Sequence, residues 1–236
     1  GPANDSSSTG VFIGTKIKEF AVANRVTVLG AYAFYNQTSL TTFTMGEGSQ
    51  LKGLGTYTFS GTTKLTTVTL ADGLETIGYC AFYKSYVPAI TIPKTVTLLD
   101  QYAFYTTSKL KTVTFAPGGT EGLTIKRLAF GSATVLEVLN LPARLETIYT
   151  VKSLSGATGG FKDINEVFTK SNKLKEINVE EGGQYFASID GILAIADVVL
   201  VIDDSDSDGF FTNSCNTNNL PLLKVPVALN AADVME

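Results

Sequence analysis

A phenylalanine recurs along this chain at Phe34, Phe59, Phe82, Phe104, Phe130 and Phe168, at spacings of 25, 23, 22, 26 and 38 residues. This period constrains the fold more than any other feature, because a unit of about 23 residues cannot bury its own apolar edge and must stack on its neighbours. The apolar frame around each Phe repeats as well. The preceding residue is small or β-branched throughout: Ala33, Thr58, Ala81, Ala103, Ala129 and Val167. Six residues on stand Leu40, Leu65, Leu110, Leu136 and Leu174. Nine and eleven on stand Phe43 and Met45, Val68 and Leu70, Val113 and Phe115, Leu139 and Leu141, Ile177 and Val179. The third copy runs one residue short, with Val87, Ile90 and Ile92 in these roles. Before the Phe come pairs such as Leu51 and Leu54, Leu74 and Ile77, Val96 and Leu99; the last pair, Leu145 and Ile148, precedes an insertion over 149–161.

Leu110-Lys111-Thr112-Val113-Thr114-Phe115 alternates apolar and polar residues and is rich in β-branched side chains, the pattern of a short half-buried strand. One such strand per repeat is expected, paired parallel with its neighbours. The stretch around Ala-Phe is expected to hold a turn and a one-turn helix or 3₁₀ segment, too brief to persist unless its Phe packs inward. The fold class is therefore an α/β solenoid, β-rich, with one short parallel strand per repeat of about 23 residues and the recurring Phe fully buried between coils.

The series Leu74-Glu75-Thr76-Ile77-Gly78-Tyr79-Cys80-Ala81-Phe82, repeated in Val96 to Phe115, resembles the BspA-type leucine-rich repeat, over roughly residues 10–179. Tyr185-Phe186-Ala187-Ser188-Ile189-Asp190-Gly191-Ile192-Leu193 is similar to the hairpin with which such arrays are interrupted or ended. The resemblance implies a leucine-rich-repeat right-handed superhelix. It also implies a secreted or surface-anchored protein, typically bacterial, that mediates adhesion to host proteins or other cells. Three segments follow: a flexible linker at 1–9, a solenoid of about six coils at 10–180, and a divergent cap at 181–236 that would shield an open strand end. The start, Gly1-Pro2-Ala3-Asn4-Asp5, lacks Met and suggests a trimmed chain whose targeting segment has been removed, with an extracellular or surface-anchored location.

Composition narrows the function. The chain has no His, which removes Ser-His-Asp and Cys-His catalysis and His-ligated metals. Its two Cys, Cys80 and Cys215, cannot form a four-thiolate site. A formal charge of −4 argues against nucleic acid and other polyanions. Residues 1–200 hold 17 Lys/Arg against 16 Asp/Glu, so the net negative charge lies in the last segment. No apolar run is long enough for a membrane span.

Three groups are candidate sites. Strand positions that alternate with the buried ones project outward. They give a hydroxyl and amide ladder of Thr42, Thr44, Thr67, Thr69, Thr91, Thr112, Thr114, Asn140 and Asn178, a ligand-binding face whose contacts should depend weakly on salt. The same Thr ladder also serves β-propensity alone. Asp204, Asp206 and Asp208 stand at alternate positions before Gly209, as in the first half of a calcium loop, but the closing Glu is replaced by Cys215. They make a weak calcium site or a solvated acidic turn; no other cofactor is expected. Tyr32, Tyr35, Tyr57, Tyr79, Tyr83, Tyr102 and Tyr105 flank the recurring Phe and form either packing between coils or a Tyr-rich stripe. No catalytic residues are proposed. The expected function is a non-enzymatic binding module, a monomer, contacting protein or glycan at a host or neighbouring cell surface. The alternatives are a scaffold or spacer without its own ligand, or a carbohydrate-active or other enzyme.

Overall fold

The computed structural model describes residues 10–12, 14–148, 173, 176–179 and 222–224. The chain winds as a solenoid whose coils each have three sides. On the first side lie the expected strands, β2 (Thr42–Met45), β4 (Thr67–Thr69), β6 (Ala89–Ile92), β8 (Thr112–Phe115), β10 (Val138–Leu141) and β12 (Glu176–Val179). Strand β1 (Glu19–Val22) pairs parallel with β2 ahead of them, and β13 (Leu222–Lys224) pairs parallel with β12 behind. The N-terminal coil to which β1 belongs lies one turn before the first copy recognised in the sequence. Phe12 stacks on Phe34 at 4.9 Å, and Phe20 pairs with Phe43 in register.

The second side corrects the expectation of one strand per repeat. Strands β3 (Gly53–Leu54), β5 (Thr76–Ile77), β7 (Leu98–Leu99), β9 (Leu123–Ile125) and β11 (Leu145–Ile148) form a second parallel ladder in which Ile77 pairs with Leu99 and Leu99 with Ile125. At two to four residues each, these strands are too short to display alternation, and their Leu-x-x-Ile spacing looks like that of simple core anchors.

The third side carries the recurring Phe, and here the expected helical turn is replaced by a stack of turns; among the described residues there is no helix. The cause is a periodic pair of left-handed residues. Two places before the Phe, Tyr32, Tyr57, Cys80, Tyr102 and Leu128 have φ between 55° and 61°. Two places after it, Asn36, Lys84, Thr106 and Ser132 have φ between 53° and 59°, and Gly61 has φ 72°. A right-handed helix cannot run through such residues. Instead, alternate amides point in opposite senses. Ala103 and Tyr105 donate to carbonyls three residues back, Asp100 and Tyr102, at 3.1 and 3.0 Å, while Phe104 and Thr106 donate to Ala129 and Gly131 of the next coil at 2.7 and 2.9 Å. Each left-handed non-glycine residue costs about 1–2 kcal/mol. The inter-coil hydrogen bonds, about 1 kcal/mol each, and the buried Phe offset that cost.

The core is one continuous column. Phe34, Phe59, Phe82, Phe104 and Phe130 are each 0% exposed and stack on one another at 5.3, 5.1, 5.0 and 5.3 Å between ring centroids, close to the strand spacing of the ladders. Phe168 lies outside the described residues. A buried arginine closes one corner: the Arg144 guanidinium donates to the carbonyls of Val96, Glu121 and Pro93, and a Cβ on Gly119 would meet Arg144 and the Lys94 carbonyl. Backbone carbonyls thus hold a charge that would be costly to bury alone.

One irregularity shapes the first side. The ladder is two sheets, β1-β2-β4 and β6-β8-β10-β12-β13, with no pairing between β4 and β6. In four other coils the residue just before the strand donates across to the preceding coil: Thr41 to Lys18, Thr66 to Thr41, Lys111 to Pro88 and Glu137 to Lys111, at 2.7–3.0 Å. In the third copy that place is taken by Pro88, which has no N–H. Two residues ahead of it the Tyr86 amide still donates to the Thr62 carbonyl of the preceding coil, at 3.3 Å, but no strand pairing follows. Val68 and Leu70 are consequently half-buried, whereas Ile90, Ile92, Val113 and Phe115 in the same roles are buried.

Candidate functional site

The outward ladder forms where the sequence places it, but as two blocks. Thr42 pairs with Thr67 and Thr44 with Thr69 in the first block. In the second, Thr91 pairs with Thr114, Thr112 with Val138 and Thr114 with Asn140. Thr67, Thr69 and Thr91 are exposed, and Thr42, Thr44, Thr112, Thr114 and Asn140 are half-buried. Asn140 Nδ2 donates to Thr114 Oγ1 at 3.2 Å, so part of the amide capacity is used within the face. Asn178 holds its place in the backbone register opposite Asn140. Strand β1 extends the face to Glu19 and Ala21, paired with Thr42 and Thr44. These two escaped the sequence reading, although Phe20 and Val22 stand 23 residues before Phe43 and Met45 and signal them.

The corner that leads into these strands is lined by a row the sequence reading did not single out. Lys16, Lys18, Lys64, Lys109 and Lys111 are all exposed there, and none carries an ion pair among the described residues. Tyr86, 38% exposed, shares the corner, with Lys109 Nζ 5.9 Å from its ring centroid. On the second ladder's side the charges are paired across coils: Lys52 with Glu75 at 2.8 Å, Lys94 with Asp72 at 3.5 Å and Lys126 with Asp100 at 3.0 Å.

The Tyr residues are mainly mortar between coils. Tyr57 and Tyr102 are 7% exposed, and Tyr32, Tyr35, Tyr79, Tyr83 and Tyr105 are half-buried against them. Ring contacts run unbroken along the side, from Tyr32 on Tyr57 at 5.1 Å to Tyr102 on Tyr105 at 5.2 Å. Cys80 stands among them, fully buried, and desolvation pushes its thiol up to about 11. Burial, together with hydrogen bonding and proximity to Cys80, likewise raises the Tyr57 and Tyr79 hydroxyls above their ordinary value. A thiol held protonated is a poor nucleophile, and the packing leaves it no access.

Asp204, Asp206 and Asp208 lie outside the described residues. Among those described, no group of three or more Cys, Asp or Glu is placed to hold a metal ion, and no helix is long and apolar enough to cross a membrane.

Comparison with known proteins agrees with this geometry. Residues 27–152 match the family described as BspA type leucine rich repeat region, in six copies. The fold is similar to a leucine-rich repeat protein from Bacteroides ovatus, with 23% identity and a TM-score of 0.53 over 70% of this chain and 39% of that one. It is also similar to the pneumococcal vaccine antigen PcpA, with 25% identity and a TM-score of 0.54 over 74% of this chain and 43% of that one. The chain thus spans about two fifths of the length of these structures. No curated protein matches it. With more than half of its length matched and the repeat visible coil by coil, the chain belongs to the BspA-type leucine-rich repeat family.

Proposed function

We propose that this chain is a non-enzymatic binding module, secreted or displayed at a cell surface, that makes adhesive contacts with protein or glycan through the strand face of the solenoid. The observation that carries this reading is the register of the outward ladder. Within each of the two blocks, hydroxyl and amide side chains are held one coil apart on paired strands, while the residues between them pack toward the core. Hydrogen-bonding groups fixed on strands bind at low ordering cost, because their backbone is already immobilised. The family supports the reading, and so does the likeness to PcpA, a pneumococcal vaccine antigen. A weak calcium ion at Asp204, Asp206 and Asp208 would suit the same extracellular setting.

A pull-down of extracellular-matrix proteins and glycans with the intact chain, repeated with the double variant Thr67→Glu/Thr112→Glu, tests the proposal. Partners held by the wild type are expected to be lost by the variant with its melting temperature unchanged, since both residues lie on the outward side. Partners retained in full by the variant would remove the strand face from the function.

A further inference from the structure

The lysine corner defines the chemistry of the partner, an inference that rests on the strand face being the binding surface. We infer that the corner and the adjoining ladder bind an anionic polysaccharide, one bearing carboxylate or sulfate groups along a hydroxylated chain. Whole-chain charge argues the other way, because −4 is a sum over the molecule. The structure sorts that sum. Cations on the second ladder's side are matched by acids of neighbouring coils, whereas Lys16, Lys18, Lys64, Lys109 and Lys111 face solvent as a row beside the ladder, where the acids among the described residues are Glu19, Glu137 and, in register with Val138, Glu176. Such a row raises the local concentration of anions.

Three details favour a polysaccharide over other polyanions. Among the described residues the cations of this corner are all Lys, flexible point charges that follow an irregular series of sulfates or carboxylates, with no Arg there for bidentate recognition. The neighbouring ladder offers hydroxyls and an amide rather than the buried aromatic and Arg anchors of a protein interface. Tyr86 presents one exposed ring beside Lys109, a platform for the apolar face of a single pyranose. Single-stranded nucleic acid would need a stacking ring at successive bases, and Tyr86 stands by itself in this corner.

Titration of the full chain with chondroitin sulfate, neutral dextran and oligo-deoxythymidine tests the inference. Chondroitin sulfate is expected to bind, and its affinity to fall about tenfold or more between roughly 0.05 and 0.2 M salt. The triple variant Lys64→Glu/Lys109→Glu/Lys111→Glu should weaken it at least tenfold with an unchanged melt. Lys52→Gln/Lys94→Gln on the ion-paired side should stay within about twofold of wild type. Equal losses in both variants, equal binding of dextran or the oligonucleotide, or no binding of chondroitin sulfate would overturn the inference. A pull-down partner lost with Thr67→Glu/Thr112→Glu but indifferent to the lysine triple would leave the binding-module reading standing without it.

Discussion

The boundary between the coils of Phe59 and Phe82 is crossed in different ways by different sides of the solenoid. On the turn side it is seamless: Tyr57, Phe59 and Gly61 donate to Tyr79, Ala81 and Tyr83 at 2.9, 2.7 and 2.8 Å, and the two Phe rings stack at 5.1 Å. The second ladder is equally continuous there, with Gly53 paired to Thr76 and Leu54 to Ile77. On the first side the ladder stops at β4 and starts afresh at β6. The difference shows that coil stacking does not need every ladder. Two sides and the Phe column carry the array across a gap made by one proline and one missing residue, and the first side is left with half-buried Val68 and Leu70 and exposed Tyr86.

The largest expected effect probes the column that makes the gap tolerable. Phe104→Ala, between Phe82 and Phe130, should cost about 3–5 kcal/mol in equilibrium denaturant unfolding, through lost burial and a residual cavity. A loss under about 1 kcal/mol would mean that the ladders, not the column, hold the coils together. Next come paired truncations on the two parts of the first side. Val113→Ala, fully buried, should cost about 2 kcal/mol, and Val68→Ala, beside the gap, less than about 1 kcal/mol. Equal costs would show that the gap is closed in solution.

The turn side has its own weakness at high pH. Cys80, Tyr57 and Tyr79 all titrate higher in the fold than in the unfolded chain, so the fold favours their protonated forms. Their stabilisation is complete below the unfolded thiol value of 9.0 and fades as pH climbs toward about 11, by roughly 1–2 kcal/mol for Cys80. Melts from pH 7 to 11 should show this decline, and Cys80→Ala should flatten it; an identical decline in the variant would assign it to the tyrosines alone.

Repairing the gap should have a smaller effect. Pro88→Thr combined with one residue inserted after Ser85 restores both the donor and the length, and is expected to stabilise the chain by about 1 kcal/mol. Amide exchange at Val68 and Leu70 should slow at the same time, whereas unchanged exchange would place the cause of the gap elsewhere. The smallest effect belongs to Lys84→Gly, which relieves a φ of 57° at an exposed site. Relief of about 1 kcal/mol is partly cancelled by the greater freedom of glycine in the unfolded chain, for a gain near 0.5 kcal/mol in the denaturation midpoint.

Much of this was legible in the residues themselves. The Phe column, the inward Leu and Val columns and the outward threonines follow from spacing alone, because stacking forces equivalent residues of successive coils into register. The third copy's missing residue was visible too, but its consequence was not, since it takes the aligned donors of Thr66 and Lys111 to show what Pro88 lacks. The second ladder and the turn stack were likewise hidden. A two-residue strand carries no period, and a left-handed Tyr or Cys has no local signature, its φ being imposed by hydrogen bonds to a coil about 23 residues away. Charge was the least legible property. Composition fixes the sum, but which lysines meet an acid depends on the corner where each coil turns, and only the stacked structure decides that Lys52, Lys94 and Lys126 are neutralised while Lys64, Lys109 and Lys111 face outward beside the threonines.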